Sequence, residues 1–270
     1  MLNKKGFKLL GVLSIILFSL VATACSTGEQ YENKLEEIKA NGKIVLGTSA
    51  DYPPYEFHAI IDGKDTIVGF DIEIAKEIAK DLGVDLVIKD MKFDGLLAAL
   101  DSGNVDFVLA GMTPTKEREE NVVFSNIYYT AVQAIVVRTE DVKTVTSLDD
   151  LNGKTIGVQK GSIQHGLATE QFTSSKIKAL GKLSDLMLEL KNDKIDALIV
   201  ELPVANSYVS KNQDLAVTKL TIGSADGGSA VAIQKGNQEL VDSINETLVR
   251  LISENTIETF VAEANEISNK

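Results

Sequence analysis

The chain has 270 residues, with 27 Lys and Arg against 39 Asp and Glu, for a net charge of −12 at pH 7. An acidic surface of this kind argues against nucleic acid or anionic lipid as a partner, because both select basic patches. One cysteine and two isolated histidines exclude a disulfide framework and the usual zinc motifs, so neither metal nor cofactor is expected, and without tryptophan any aromatic ligand contact falls to Tyr or Phe.

In chain order, Lys4, Lys5 and Lys8 precede an uncharged run over 9–22, followed by small residues and Cys25. A basic start, an apolar stretch and a small-residue cleavage site make a secretory signal peptide. The apolar run is too short to cross a hydrocarbon core of about 30 Å as a helix. Ala22-Thr23-Ala24-Cys25 resembles the lipobox of bacterial lipoproteins, in which cleavage leaves the cysteine as a lipidated N-terminus; ordinary secretion with a leftover thiol is the plainer alternative. The expectation is a signal peptide over 1–24, lipidation at Cys25 and a tether over 25–39, placing the protein on the extracytoplasmic face of a cell membrane, in a Gram-positive organism. Removing 1–24 removes three lysines and no acid, which takes the charge from −12 to −15.

From residue 43 onward strand-like runs alternate with helical periods, the pattern of an α/β architecture. Strands are predicted over 43–48, 84–89 and 105–110, the last an almost entirely apolar run suited to a sheet covered on both faces. Phe70, Ile74, Ile78 and Leu82 recur at i+4 and predict an amphipathic helix stopped by Gly83. A short helix over 96–100 and an extended piece over 131–138 complete a first series. A second follows: strands over 155–158, 176–180 and 197–200 alternate with helices opening near Ser147 and Ser162 and covering 184–192 and 202–210. The 226–229 run Asp-Gly-Gly-Ser breaks the pattern before a strand over 230–234. Leu240, Ile244, Leu248 and Leu251 mark one long terminal helix. There is no Gly-x-Ser-x-Gly, phosphate-binding loop, zinc motif or internal repeat.

Two stretches carry a resemblance: Gly47-Thr-Ser-Ala-Asp-Tyr-Pro-Pro-Tyr-Glu-Phe57, followed by Gly69-Phe70-Asp71, and Ala110-Gly-Met-Thr-Pro-Thr-Lys-Glu-Arg118, followed by Phe124-Ser125 and Tyr128-Tyr129. Together they resemble the polar amino-acid-binding proteins of ABC importers, the family of glutamine-, histidine- and lysine/arginine/ornithine-binding proteins. The resemblance implies a two-lobed periplasmic-binding-protein-like fold of type II, with lobe 1 over 40–135 plus 228–270 and lobe 2 over 136–227. It also implies two crossovers forming a hinge, near 134–138 and 226–229, with the ligand held between the lobes.

A zwitterion buried in such a cleft needs a partner for each charge. Arg118 matches the family's carboxylate-binding arginine, with Thr113, Ala110 and the Gly111 region beside it; on residue type alone it would equally pair with Glu117 or Glu119 on a solvated helix. Glu201 stands where relatives carry the ammonium-binding aspartate, although an acid here could instead cap the helix that follows. Ser162 opens a helix whose positive end can hold a carboxylate, and it could also be a plain N-cap. Gln159 aligns with a position that often faces the cleft, or is a strand-end surface residue. Tyr52 and Phe93 match the two aromatic walls. Ser49 occupies a position frequently Asp in relatives, and Asp51 or Glu56 could compensate, although Glu56 is often structural in relatives. The resemblance implies a non-enzymatic, monomeric receptor for a basic amino acid, arginine or lysine, that delivers its ligand to an ABC permease with its ATPase. Glutamine or another polar amino acid is one alternative, and a cyclohexadienyl-dehydratase-like enzyme on the same fold is another.

Overall fold

The computed structural model describes residues 31–223 and 227–270. The expected signal peptide, Cys25, the start of the tether and Asp226 of the expected hinge lie outside the described residues. Helix α1 (Lys34–Asn41) begins the folded body. Asn33 caps it by accepting the Glu36 N–H at 3.0 Å, and Ile38 is buried in the core. The tether expected over 25–39 therefore ends by Asn33, because the residues after it pack rather than dangle.

The chain continues through β1 (Lys43–Thr48), β2 (Asp51–Tyr52), β3 (Glu56–Ile61), β4 (Lys64–Val68), α2 (Phe70–Leu82), β5 (Asp85–Asp90), α3 (Leu96–Asp101), β6 (Phe107–Val108), α4 (Lys116–Glu119), β7 (Val122–Phe124), β8 (Tyr129–Thr130) and β9 (Gln133–Arg138). There follow β10 (Thr155–Gln159), α5 (Ile163–Gln171), β11 (Lys176–Leu180), α6 (Leu183–Lys191), β12 (Ala197–Glu201), α7 (Leu202–Lys211) and β13 (Leu215–Ile222). The last elements are β14 (Gly228–Ser229), β15 (Ala232–Gln234), α8 (Gln238–Ser253) and α9 (Thr256–Ser268).

Two five-stranded sheets organise these elements into two lobes. The first has the order β5-β1-β6-β15-β7 and the second β11-β10-β12-β9-β13. In each, three parallel strands are followed by two that include an antiparallel strand returned from the other lobe. The lobes thus share one strand order, although the sequence carries no repeat. The chain passes between them twice, and β8 pairs antiparallel with β14 where it does so. The first passage is not at 134–138, as the resemblance implied. Every residue of β9 except the last is buried, and the strand pairs with β12 on one side and β13 on the other. An apolar run in the middle of a sheet cannot serve as a hinge, and the proposed lobe boundary at 135/136 falls inside it.

Most predicted elements lie where periodicity put them, with differences at sheet and helix ends. The strand expected over 105–110 pairs only at Phe107–Val108, because the chain then turns into the space between the lobes. The helix marked by Leu240, Ile244, Leu248 and Leu251 is α8, and it is not the last: Asn255 adopts φ 58°, which breaks the i→i−4 ladder before a further helix, α9. The strand β13 has no predicted counterpart. Helix α2 buries Phe70, Ile74 and Ile78 as its i+4 spacing requires, and α8 lies against it through Arg250, which bonds Glu77 and Asp81 at 2.7 Å each.

Gly69, at φ 132°, lets the loop after β2 close onto the first turn of α2. The Pro54 carbonyl accepts the Phe70 N–H and the Tyr55 carbonyl accepts the Asp71 N–H, both at 3.0 Å. A Cβ on residue 69 would lie 2.1 Å from the Tyr55 carbonyl oxygen. Gly69→Ala is therefore expected to destabilise the protein by about 3 kcal/mol or more, read as a fall in the thermal unfolding midpoint. An unchanged midpoint would mean that this approach is not rigid.

Candidate functional site

The cleft between the lobes is built where open α/β sheets bind ligands, at the C-terminal ends of parallel strands. From the first lobe come the loop after β1, the 3-10 turn Phe93–Gly95, the segment after β6 and helix α4; from the second come the ends of β10 and β12 and the first turn of α5. Nine of the eleven predicted ligand residues line it together: Tyr52, Phe93, Ala110, Gly111, Thr113, Arg118, Gln159, Ser162 and Glu201. Ile163 and Gln164 join them.

Arg118 is 8% exposed, which removes the solvated-helix reading. Thr115 caps α4 by accepting the Arg118 N–H, and so fixes where the side chain departs. The guanidinium donates to the Thr113 carbonyl in its own lobe and to the Gly161 carbonyl across the cleft at 2.8 Å, and it lies 5.4 Å from the Phe93 ring centroid. Burial lowers its pKa to about 10, so it remains charged at neutral pH. Among the described residues no carboxylate comes within ion-pair distance; Glu117 contributes only a longer-range attraction.

Glu201 answers it from the second lobe. It is 4% exposed at the end of β12, and although it is the N-cap residue of α7 its side chain makes no capping bond. The capping alternative therefore fails, and the carboxylate accepts the Tyr55 hydroxyl instead. Burial raises its pKa to about 7; the Tyr55 and Gln133 hydrogen bonds favour the ionised form, and the Asp71 charge opposes it. No lysine or arginine among the described residues pairs with it.

Three residues missed by sequence reasoning hold Glu201 in place. Gln164 donates to Gln133 at 2.7 Å, Gln133 sits directly across from Glu201 in the sheet and favours its ionised form, and Tyr55 bonds it from the other lobe. The signal for Gln133 was present: it is a polar residue placed just before the apolar run 134–137 of β9, directly across from Glu201. Gln159 is buried at 6% exposure and its amide nitrogen has no partner, so it is not a surface glutamine. Ser162 does cap α5, accepting the His165 N–H at 3.3 Å while donating to the Gln159 carbonyl at 2.8 Å. Its hydroxyl is thus occupied, and it is the positive end of the helix that the cleft meets.

Two expectations need correction, and a third is narrowed. Ser49 and Asp51 do not line the cleft. Ser49 bonds Asp51, and the Asp51 carboxylate accepts the Ser184 N–H at 3.0 Å and its hydroxyl at 3.2 Å, because the first turn of α6 offers unpaired N–H groups to an acid. Tyr208 donates to the Asp51 carbonyl at 2.8 Å, so Asp51 ties the lobes to one another. The Gly111 N–H is not a free donor, since Asp71 accepts it at 2.9 Å. Removing the latch with Asp51→Ala is expected to shift the molecule toward an open form, seen as a larger radius of gyration in solution scattering with little change in secondary structure. An unchanged radius would show that other contacts hold the lobes together.

The chain matches the model of the bacterial extracellular solute-binding proteins, family 3, over residues 44–263. It is 41% identical over 247 residues to the arginine-binding extracellular protein ArtP of Bacillus subtilis (strain 168), covering 90% of this chain and 91% of that protein. It is 31% identical over 252 residues to the L-cystine-binding protein TcyJ of Escherichia coli (strain K12), covering 93% and 91%. Among solved structures it is similar to the amino acid ABC transporter substrate-binding protein AbpA from Streptococcus pneumoniae Canada MDR_19A bound to L-arginine, with TM-score 0.84 and 38% identity over 87% of this chain and 99% of that one. With the two-lobed fold and the buried charges of its cleft, this chain belongs to the bacterial extracellular solute-binding proteins, family 3.

Proposed function

We propose that the protein is a receptor for a basic L-α-amino acid, arginine before lysine, which it binds between its lobes and delivers to an ABC permease. The observation that carries this reading is the pair Arg118 and Glu201. They are opposite charges, buried on opposite sides of one cleft, with no ionic partner of their own among the described residues. An isolated buried charge is costly, and an α-amino acid supplies the missing carboxylate to one and the missing ammonium to the other. The Gln159 amide and the positive end of α5 add donors for the carboxylate. Tyr52 and Phe93 flank the same space, where aromatic faces attract a cationic side chain by about 0.5–2 kcal/mol.

The preference for a basic ligand rests on charge balance and on relatives. Asp71 and Glu201 are buried on the acidic side of a cleft that holds a single guanidinium, so added positive charge is favoured. The ArtP relative is named for arginine and the AbpA structure holds it. Anchoring through a lipid on Cys25 at the extracytoplasmic face, delivery to the permease and action as a monomer complete the proposal. The relatives matched are solute-binding proteins rather than enzymes.

The test is calorimetric titration of protein refolded free of carried-over ligand against the twenty amino acids and ornithine. Micromolar or tighter binding of arginine or lysine, about −8 kcal/mol or better, supports the reading. A glutamine-only response moves the specificity, and turnover of a ligand replaces the receptor with an enzyme. Arg118→Ala is expected to weaken every amino acid by about 100-fold or more, since it strands the ligand carboxylate; retained affinity would remove Arg118 from that role.

Glu201 makes binding depend on pH. Its carboxyl is raised to about 7 in the ligand-free cleft, and an ammonium favours the ionised form, so binding releases a proton whenever the group was protonated. Affinity should fall as pH drops below about 7 and level off above it. Titration near pH 6 in buffers of different ionisation heat should show proton release that Glu201→Gln abolishes. No release from the wild type would exclude Glu201 as the ammonium partner.

A further inference from the structure

Beneath the cleft lie two carboxyl groups that ligand binding does not use. Glu56, opening β3, and Asp71, in the first turn of α2, are both completely buried. One Asp71 oxygen is well supplied, accepting the Gly111 N–H and the Tyr128 hydroxyl at 2.9 Å each. The other Asp71 oxygen and both Glu56 oxygens reach no donor among the described residues, yet the two carboxyls lie within hydrogen-bonding reach of one another. As two carboxylates they would leave three buried acceptors orphaned and two like charges side by side, a combination that a dry interior does not support.

We propose that Glu56 and Asp71 share a single proton, carried by Glu56, and that Glu56 is thereby the positioning residue that holds Asp71 on Gly111 and Tyr128. The O–H of Glu56 then donates to the orphaned Asp71 oxygen, and one carboxylate accepts three donors. Every charged group acting on Glu56 favours this state. Asp51 on β2, Asp71 on α2 and Glu201 from the second lobe are all acids, the neighbouring phenols of Tyr52 and Tyr128 offer no positive charge, and no lysine or arginine is among them. Burial pushes Glu56 well above the ordinary carboxyl range, whereas Asp71, helped by its two donors, rises only to about 7.

The arrangement reaches the cleft through the backbone. Gly111 sits at φ 54° with the Tyr52 and Tyr55 rings against it, so that a Cβ there would lie 3.3 Å from each. Asp71 pins its N–H, and two residues further on the Thr113 carbonyl accepts the Arg118 guanidinium. Glu56 therefore acts on Arg118 through Asp71 and the 111–113 segment, without touching the ligand.

The sign of the pH effect follows from linkage. A carboxyl whose folded value is raised contributes stability that is complete below its unfolded value and is lost as pH rises through the folded one. Gln at position 56 donates the same hydrogen bond with no proton to lose, whereas Leu donates none. In the intact protein, the infrared carbonyl stretch of a protonated buried carboxyl should be present at pH 8, persist in Glu201→Gln and vanish in Glu56→Gln. The unfolding midpoint of Glu56→Gln should gain on the wild type as pH is raised from 5 to 9, while Glu56→Leu falls below both. With L-arginine as probe, Glu56→Gln should bind within a few-fold of wild type and Glu56→Leu about tenfold more weakly. A band that survives in Glu56→Gln, a wild type lacking the band, or a Glu56→Gln as damaged as Glu56→Leu would overturn the proposal. Should arginine not bind at all, the infrared and unfolding measurements still decide it, independently of the receptor reading.

Discussion

Arg118 and Glu201 are the constraint around which the rest of the cleft is arranged: a guanidinium and a carboxylate, each withdrawn from water and neither given an ion partner among the described residues. Transfer of such groups into a protein interior costs several kcal/mol each even after relaxation. The protein offsets this with dipoles instead of counter-charges. Carbonyls of Thr113 and Gly161 receive the guanidinium, and Tyr55 donates to the carboxylate with Gln133 across the strand from it. Dipoles orient a charge without neutralising it, so each site keeps its demand for an ion. That is the physical basis for reading the cleft as complementary to a molecule carrying both signs.

Meeting that demand requires both lobes, and the fold makes this unavoidable. The two sheets share a strand order and present the carboxyl ends of their parallel strands to the same space. Arg118 belongs to one lobe and Glu201 to the other. Around this centre runs a ring of contacts between lobes: Asp51 with Ser184 and Tyr208, Lys182 with Asp90, and Lys160 with Asp94. The last two are partly exposed ion pairs, worth at most about 1 kcal/mol each. Asp51 differs, because its carboxylate is met by a helix N-terminus as well as a hydroxyl. Weak rim pairs around a charged centre suit an equilibrium that a ligand can shift.

The floor of the cleft belongs to the first lobe. Gly69 allows the loop after β2 to lie directly on α2, and this brings Tyr55, Glu56 and Asp71 into one buried group with Tyr128. Tyr55 then reaches up to Glu201, and Asp71 reaches across to Gly111. A turn glycine, a helix start and a backbone N–H thus connect local chain geometry to the position of Arg118.

The sequence by itself determined the elements and the chemical types in the cleft. The i+4 period of α2, the apolar strands and the Ser caps are local, set by propensity and by which face must be buried, so they are legible one segment at a time. The motif that ends at Arg118 was legible through resemblance, since its residues from Ala110 to Arg118 lie in one stretch. Only the tertiary structure decided what each polar group meets. Ser49 and Asp51 share a stretch with Tyr52, yet α6 captures Asp51 from 133 residues away. Gln133 and Gln164 gain their roles only when β9 enters the middle of the second sheet. The sheet order common to both lobes, the passage at β8 and β14, and the Glu56–Asp71 contact likewise join residues far apart in the chain. Hydrogen-bond partners across such distances depend on packing, which periodicity does not encode.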